Sequence, residues 1–310
     1  MTQGEEKRRD AHGAFAEPSI SCVLLNWNGY SDTVTHLQAL LAIFHPRPTL
    51  IVVDNGSTDN SVAQIRAAYP DVTLIETGKN LGFAGGNNCG IRHAIEAGAE
   101  YVWLLNNDTQ PHPDALRHML TLAQSDPRIG AVGSVLCHAG RTDVVQSWGG
   151  GRVNLLLGYN HVARSPKPNA WFDYLCAGSL LVRRDALLDV GLLNEAFFLY
   201  WEDVDFGFRL RQRGWKLAVA PGSIVQHKGG ASSSGNHSAV DRYFTTSGLR
   251  FLAAHSSVPW LSPALFVASR LAKRTLHGQP RRASAVVAGL RDYLAVRHQR
   301  GRQASRPPAA

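Results

Sequence analysis

Acidic and amide side chains follow three apolar segments of this chain, at the points where predicted strands end. They are Asp54 in "VVDNGSTD", Asn106 to Asp108 in "LLNND", and Glu202 to Asp205 in "YWEDVD". Carboxylate oxygens in such places can coordinate a hard divalent cation, accept a hydrogen bond from a ligand or take a proton from a reacting group. A single acid after a strand is more often a turn former or a helix cap. Together, the three groups predict a pocket that holds a nucleotide, a divalent cation and a reacting hydroxyl.

The elements that must position these side chains are strands that alternate with helices. "ISCVLLNW", "PTLIVVD", "VTLIET" and "EYVWLLNND" are predicted strands, and amphipathic helices are predicted between them. Four such units predict an α/β fold with a mostly parallel sheet and helices on both faces. The carboxyl ends of the strands in an open α/β sheet are where ligands bind. The glycine- and asparagine-rich "GKNLGFAGGNN" is predicted as a loop at this edge.

The second half of the chain departs from this alternation. Residues 139–170 are rich in glycine and proline with weak periodicity and are predicted to be a variable excursion, and "VQHKGGASSSG" is predicted as a loop. From Asp241 onward the chain is predicted to be mainly helical. We therefore expect a disordered segment at residues 1–18, one α/β domain at 19–255 and a basic helical extension at 256–310.

Composition places the chain among globular proteins. Of its 310 residues 44% are hydrophobic and 18% are charged, which is enough to bury a substantial core. The longest apolar segment, Trp260 to Ala272, is interrupted by Pro263 and Arg270, so a membrane-spanning helix is not expected. The charged start "MTQGEEKRRDAHG" lacks the apolar region of a secretory signal, and a cytoplasmic location is expected. The four cysteines have no C-x-x-C spacing and are expected to be reduced thiols.

The net charge of +8 is concentrated at the end of the chain, where ten Lys and Arg residues follow residue 269 with one acid, Asp292. Basic and apolar residues interleaved at helical spacing can lie on an anionic membrane surface. They can equally form a cationic helical tail that packs on the domain, and both readings stay open. Nucleic acid is not an expected partner, because motifs that bind RNA or DNA are lacking.

Six motifs, in this order and spacing, resemble the inverting family-2 glycosyltransferases of the GT-A fold, and most of all the rhamnosyltransferase-type enzymes of bacterial polysaccharide synthesis. The resemblance covers about residues 19–255. The motifs are "IVVDNGSTDNS", "GKNLGFAGGNN", "WLLNNDTQPHPDAL", "AGSLLVRRD", "FFLYWEDVDFGFRLRQRGWK" and "VQHKGGAS". The resemblance implies a GT-A domain, with a Rossmann-like mixed and mostly parallel sheet flanked by helices, followed by a C-terminal helical extension.

The resemblance also implies roles for single residues in catalysis. Asp203 matches the family's base, which takes the proton from the acceptor hydroxyl as that hydroxyl attacks the anomeric carbon. Glu202 matches a neighbouring acid that orients the acceptor or the base. Without the resemblance, these acids read as ordinary helix-start residues favoured by the helix dipole.

Nucleotide binding is implied for Asp54, whose carboxylate would accept a hydrogen bond from the imide N–H of uracil or thymine. A cap for the following helix is the alternative role. Four amides are further candidates for contact with the nucleotide: Asn26 in the first predicted strand, Asn80 and Asn88 in "GKNLGFAGGNN", and Asn106 in "LLNND".

Metal binding is implied for two residues. Asp108 stands in the place of the last acid of the family's Asp-x-Asp signature and would hold Mg²⁺ or Mn²⁺, while Asn106 replaces the first acid, which lowers the negative charge of the site. His227 matches a histidine that supplies a further metal ligand in several relatives. A histidine at a strand end is otherwise most often solvated or hydrogen-bonded.

The function expected from these motifs is inverting transfer of a sugar, with L-rhamnose the leading candidate, from a dTDP- or UDP-sugar. The acceptor would be a saccharide or a polyprenyl-diphosphate-linked saccharide, and the enzyme would work in the cytoplasm or at the inner face of the cell membrane. Two alternatives are a catalytically inactive sugar- or nucleotide-binding protein and a sugar nucleotidyltransferase. The latter ordinarily has a glycine-rich basic turn after its first strand, where this chain has "NWNGYSD".

Overall fold

The computed structural model describes residues 18–41, 46–229 and 237–304, with side chains described as far as residue 297. The segment expected to be disordered, residues 1–18, lies outside these ranges except for Pro18. In chain order the elements are β1 (Ile20–Asn26), α1 (Tyr30–Leu41), β2 (Thr49–Asp54), α2 (Ser61–Ala68), β3 (Thr73–Glu76), α3 (Gly82–Glu96), β4 (Tyr101–Asn106), β5 (Thr109–Pro111), α4 (Ala115–Ser125), β6 (Ile129–His138), β7 (Arg141–Trp148), β8 (Gly150–Asn154), β9 (Tyr159–Val162), β10 (Tyr174–Leu175), β11 (Ser179–Arg183), α5 (Arg184–Val190), α6 (Glu202–Gln212), β12 (Lys216–His227), α7 (His237–His255), α8 (Leu261–Leu276) and α9 (Pro280–Ala304).

The main sheet confirms the α/β class and is mixed. Its described strands have the order β3-β2-β1-β4-β11-β6-β12-β5, with β7 paired to β6, and β10, β8 and β9 form a separate small sheet. The first four strands pair in parallel, as their alternation with helices predicts. β11 then runs antiparallel between β4 and β6. Hydrophobic periodicity predicts a strand but not its direction, and antiparallel pairings are therefore more numerous than expected.

Two segments predicted as loops belong to regular elements. α3 begins at Gly82, inside "GKNLGFAGGNN", because the side-chain oxygens of Asn55 and Asn80 accept hydrogen bonds from the first N–H groups of the helix. Its glycines permit close packing on the sheet, since a Cβ at Gly86 would lie 2.4 Å from Leu25. β12 continues to His227 because its end pairs with both β6 and β5.

The sheet is buried on both faces. Along β1, Val23 belongs to one apolar cluster while its neighbours Cys22 and Leu24 belong to another on the opposite face. This alternation is the pleat of a strand covered by helices on either side, and the near-continuous apolar run of β1 reflects it. The sheet edge where β1, β2 and β4 end is thereby fixed by core packing.

Helices α7, α8 and α9 pack together and share an aromatic core with the start of α6. Trp201, Phe251 and Phe266 are buried in this core. The carboxylate of Asp205 in α6 accepts hydrogen bonds from Arg209 at 2.8 Å and lies 2.8 Å from Nε2 of His255, the last residue of α7. The domain boundary expected after residue 255 coincides with the end of α7, although α7 itself packs with the helices beyond it.

A single buried carboxylate joins the three C-terminal helices. Asp241 in α7 is fully buried and accepts hydrogen bonds from Arg270 at 2.6 Å, Arg274 at 2.7 Å and Arg282 at 2.5 Å. Burial raises the pKa of the Asp241 carboxyl, but the hydrogen bonds and charges of the three arginines outweigh it, so that the pKa lies below its ordinary value. The stabilisation is therefore present at neutral pH and is lost as the pH falls through this lowered pKa.

The basic extension directs three of its cations inward, to Asp241. None of the helices in the described ranges has the length and apolar character needed to cross a bilayer. Contact with a membrane surface stays a prediction, and it now depends on the exposed cations of the described part of the extension, namely Lys273, Arg281, Arg291 and Arg297.

Asp241→Asn is expected to lower the free energy of unfolding by about 3–5 kcal/mol, because it leaves three half-buried guanidinium groups without their counterion. Urea denaturation followed by circular dichroism measures this. The control is Asp292→Asn, which breaks the exposed pair with Arg242 and should cost less than about 1 kcal/mol. Equal effects of the two substitutions would show that Asp241 does not anchor the helices.

Candidate active site

A strained turn precedes the acids of α6. Tyr200 and Trp201 have φ angles of 66° and 71°, in the left-handed region that non-glycine residues rarely adopt. The Trp201 side chain is buried, with ring centroids 5.3 Å from Phe244 and 5.0 Å from Phe251. Aromatic packing thus holds the turn in place, as strained backbone at functional sites requires. Trp201 is thus part of the aromatic core that α6 shares with the C-terminal helices.

Asp203 lies in the first turn of α6 and is partly exposed. Its Oδ1 accepts a hydrogen bond from the backbone N–H of Val204 at 2.8 Å, and its Oδ2 accepts one from the backbone N–H of Ala177 at 3.3 Å. Burial raises the pKa of Asp203 to about 6, against the lowering effect of these backbone hydrogen bonds. The carboxylate is therefore ionised at neutral pH, fixed in position and a stronger base than an ordinary aspartate.

Glu202 has a different environment. It is buried, and its Oε2 has no hydrogen-bond partner among the described residues. Burial, together with the charge of Asp203, raises the pKa of Glu202 well above its ordinary value. The two adjacent carboxyl groups therefore differ in burial and in hydrogen bonding, and they are suited to different tasks.

The end of β4 and the carboxylate of Asp203 both contact one short segment of backbone. The N–H of Asn106 donates to the carbonyl oxygen of Gly178 at 3.1 Å, and the neighbouring Ala177 donates to Asp203. These contacts follow from the antiparallel pairing of β4 with β11, in which Leu105 lies opposite Ser179. Asn106 at the end of β4 and Asp203 therefore lie on either side of the Ala177–Gly178 segment.

His227 at the end of β12 lies against Asp108, with Nε2 3.2 Å from Oδ1 of the carboxylate. Its Nδ1 lies 3.0 Å from Oε1 of Gln146, whose Nε2 donates to the carbonyl oxygen of His227 at 2.8 Å. The amide orientation of Gln146 is fixed by that carbonyl, so Nδ1 of His227 must carry the hydrogen. The Nε2 lone pair of a neutral His227 then faces a carboxylate oxygen, which is also an acceptor.

Two acceptors in contact need a cation between them, either a proton or a metal ion. The chemistry of this pair fits Mg²⁺ or Mn²⁺, because octahedral neighbours at about 2.1 Å from a metal lie about 3 Å apart. A hydrogen bond from the other ring nitrogen is the usual support of a metal-binding histidine. The described residues contain no group of three or more His, Cys, Asp or Glu side chains placed to hold a metal. Substrate and water would therefore have to supply the remaining ligands.

A chain of hydrogen bonds connects the ends of three neighbouring strands. Asp54 accepts from Nδ2 of Asn26 at 2.8 Å and from both the N–H and the hydroxyl of Ser57. Asn26 in turn accepts from Thr33 at 2.7 Å, and Thr33 accepts from Asn107 at 3.0 Å. Asp54 thus stabilises the turn after β2. A nucleotide contact stays a prediction for Asp54, Asn26 and Asn106. The Asp54 carboxylate retains spare lone pairs for such a contact, and Asn106 is partly exposed.

Asn80 and Asn88 have separate surroundings. Asn80 shapes the start of α3, where Gly82 has a φ of 76° and a Cβ would lie 2.2 Å from the carbonyl oxygen of Phe198. Asn88 is buried, donates to the carbonyl oxygen of Leu193 at 2.8 Å and accepts from the Leu193 N–H at 3.1 Å. Its amide is used within the protein, and we leave Asn88 out of the proposed site. Its predicted contact with a nucleotide is untested.

A known protein family matches most of the α/β domain of this chain. The sequence profile of Glycosyl transferase family 2 matches residues 21–191. The chain belongs to glycosyl transferase family 2. An N-acetylglucosaminyl-diphospho-decaprenol L-rhamnosyltransferase of Mycobacterium tuberculosis is 30% identical over an alignment of 259 residues, which covers 74% of this chain and 83% of the relative. The rhamnosyltransferase-like resemblance seen in the motifs is thereby confirmed.

Solved structures support the fold of this family member. A mannosyltransferase of Pyrobaculum calidifontis in complex with GDP-Man and Mn²⁺ superposes with a TM-score of 0.58 at 17% identity, covering 90% of this chain and 88% of that one. GalNAc-T7 with UDP, GalNAc and Mn²⁺ has a TM-score of 0.60 at 12% identity, covering 91% of this chain and 57% of that one. At these identities the likeness shows the GT-A fold alone.

Sequence reasoning missed the residues that support the site. Gln146, which orients His227, lies in the segment set aside as a variable excursion, and no local pattern marks it. Asn55, which organises the start of α3, is adjacent to Asp54 but reads as a turn residue. His36 is a buried imidazole beside Thr109 whose pKa is lowered to about 4 by burial, and only its place in an apolar helix face hinted at burial.

Gln146→Leu is expected to weaken Mn²⁺ binding about tenfold, because His227 loses the hydrogen bond that fixes its tautomer. Isothermal titration of Mn²⁺ in the presence of UDP measures this. The control is Gln110→Leu, the same change at an exposed position on β5, which should leave the affinity unaltered. An unchanged affinity in Gln146→Leu would contradict a metal site at His227.

Proposed function

We propose that this family-2 glycosyltransferase works with inversion and transfers a sugar from a dTDP- or UDP-sugar donor to a hydroxyl of a saccharide or polyprenyl-diphosphate-linked saccharide. L-rhamnose is the first candidate sugar, because the relative of Mycobacterium tuberculosis is an L-rhamnosyltransferase. We further propose that the reaction takes place on the cytoplasmic side, at the membrane surface when the acceptor is lipid-linked, and that it serves the synthesis of cell-surface polysaccharide.

The observation that carries the proposal is the state of Asp203. An inverting transfer needs one base opposite the leaving group, and Asp203 offers an ionised, partly exposed carboxylate with a pKa of about 6 at a position fixed by two backbone N–H groups. Positioning supplies much of the rate in such a step, so that a moderately strong base suffices.

In the proposed reaction, the oxygen of the acceptor hydroxyl forms a bond to the anomeric carbon while the bond from that carbon to the donor diphosphate breaks. The hydroxyl proton passes to Asp203, and the nucleoside diphosphate leaves with the electron pair of the broken bond. Glu202 lies beside the base, and its raised pKa disfavours a second negative charge next to Asp203. Attack and departure on opposite faces of the sugar give inversion.

The donor end of the site would be formed by Asp54, Asn26, Asn80 and Asn106. Asp108 and His227 would hold Mg²⁺ or Mn²⁺, which when bound supplies positive charge to the leaving diphosphate. Asp32 forms an ion pair with Lys228, next to His227, and so ties the end of β12 to α1.

The two alternatives considered from sequence have less support. Membership of glycosyl transferase family 2 favours sugar transfer over nucleotidyl transfer. A catalytically inactive binding protein would have no need of a strained turn that presents a partly exposed carboxylate fixed by two backbone N–H groups.

Asp203→Asn is expected to lower kcat about 10²–10⁴-fold, because the amide cannot accept the hydroxyl proton. The measurement is nucleoside diphosphate release with dTDP-rhamnose or UDP-sugars and candidate acceptors. Donor binding, measured by titration, should be retained, since the substitution leaves the donor end intact. Unchanged turnover in this variant would exclude Asp203 as the base and remove the support for inversion.

The pH dependence of kcat/KM is expected to fall below about pH 6 in the wild type, as Asp203 takes up a proton there. Glu202→Gln should leave this fall in activity in place, because the pKa of Asp203 is set by burial and by backbone hydrogen bonds, which the substitution keeps. A fall that moves or vanishes in Glu202→Gln would show that Glu202, not Asp203, titrates near pH 6.

A further inference from the structure

The three arginines that surround Asp241 carry more charge than the protein neutralises. Arg270, Arg274 and Arg282, here called the arginine cluster, share one carboxylate, so the group has a net charge of +2. Their side chains are only 15–25% exposed, and water screens them incompletely. Arg270 has its pKa lowered to about 10, chiefly by burial and also by the charges of Arg274 and Arg282, and it remains a cation at neutral pH.

Part of the donor capacity of the arginine cluster is unused within the described residues. Arg270 donates Nε to Thr245, and Arg274 donates to Gln279 as well as to Asp241. Arg282 donates only through Nε to Asp241. A guanidinium has five N–H donors, so the two NH₂ groups of Arg282, on a side chain that is 25% exposed, are available to a ligand.

The surroundings of the cluster add positive charge. Lys273 and Arg281 are exposed on the same two helices. Helix α8 contains no acid, and the one acid of α9, Asp292, is paired with Arg242. No described carboxylate other than Asp241 contacts the cluster. A multivalent anion would therefore be attracted to this place.

The cluster is separated from the proposed catalytic turn by one aromatic ring. The guanidinium carbon of Arg270 lies 4.5 Å from the ring centroid of Phe244, and that ring contacts Trp201 at 5.3 Å and Tyr200 at 5.8 Å. One residue earlier, Tyr243 stacks on Phe198 at 5.0 Å. The start of α7, which holds Asp241, is thus next to the turn that presents Asp203.

We propose that the arginine cluster is a second anion subsite, which binds the phosphate or diphosphate group of the acceptor while the acceptor sugar faces Asp203. Guanidinium groups bind phosphate oxygens in pairs of parallel hydrogen bonds, and a dianion balances the excess charge of the cluster. The part of this inference that concerns the acceptor rests on the proposed function. The anion site itself does not.

The anion site is tested with inorganic pyrophosphate in the presence of EDTA, which keeps divalent cations from the donor site. The variants are Arg282→Gln and, as a matched control, Arg281→Gln, which removes the same charge from the neighbouring exposed position. We expect Arg282→Gln to weaken pyrophosphate binding about tenfold or more in isothermal titration, as loss of charge-assisted hydrogen bonds does. Arg281→Gln removes one exposed charge that salt screens, and it should weaken binding about twofold at most. Equal binding by both variants overturns the proposal.

Arg282→Lys distinguishes loss of the ligand contact from loss of the fold. It keeps a cation for Asp241 but lacks the planar fork, so it should retain the wild-type Tm and still bind pyrophosphate more weakly than the wild type. Pyrophosphate binding equal to wild type in Arg282→Lys, at an unchanged Tm, overturns a site based on the guanidinium fork.

The source of the anion is tested by kinetics with two acceptors that share one saccharide, with and without a diphosphate. Arg282→Gln should raise KM about tenfold for the diphosphate acceptor alone and leave the donor KM unchanged. A further experiment measures binding to vesicles of phosphatidylglycerol and of phosphatidylcholine. If Arg282→Gln loses phosphatidylglycerol binding without a change in acceptor KM, the acceptor assignment is overturned in favour of a lipid surface. If the wild type uses no acceptor, the proposed function fails, while the pyrophosphate titration still decides the anion site.

Discussion

The strained turn at Tyr200 and Trp201 is the constraint on which the site depends. Two consecutive non-glycine residues in the left-handed region cost free energy, about 1–3 kcal/mol each, and persist only where surrounding structure fixes them. Here the fixing element is the aromatic packing of Trp201 among Phe244, Phe251 and Phe266. The C-terminal helices therefore do more than extend the domain, since α7 and α8 supply the rings that hold the acids of α6 in position.

Burial gives the two adjacent carboxyl groups of α6 different properties. Asp203 is partly exposed and receives backbone hydrogen bonds, while Glu202 is enclosed next to it. One turn of helix thus places two carboxyl groups of different burial next to each other. A buried carboxylate also organises the C-terminal helices, where Asp241 of α7 binds arginines from α8 and α9.

Much of the fold followed from sequence because hydrophobic periodicity reports burial directly. The strands at Ile20, Thr49 and Tyr101 and the helices between them were predictable, as was the placement of Asp54 and Asp108 at strand ends. Strand direction was not, because β11 reads the same in either orientation. Nor was Gln146 predictable, since it acts on His227 across 81 positions of sequence and only the pairing of β6 with β7 and β12 brings them together. The glycines of α3 were predicted to form a loop. They are needed instead because the helix packs closely on the sheet, and this contact is not visible in the local sequence.

The short Ala177–Gly178 segment has a consequence for which residues of this chain can be substituted. It is held by main-chain hydrogen bonds to Asn106 on one side and to the Asp203 carboxylate on the other. The spacing between the end of β4 and the Asp203 carboxylate is thus set in part by two peptide groups, and any residue except proline, which has no N–H, keeps these bonds. Substitutions in this segment can therefore change the side chains beside Asn106 and Asp203 while the spacing between the two stays the same.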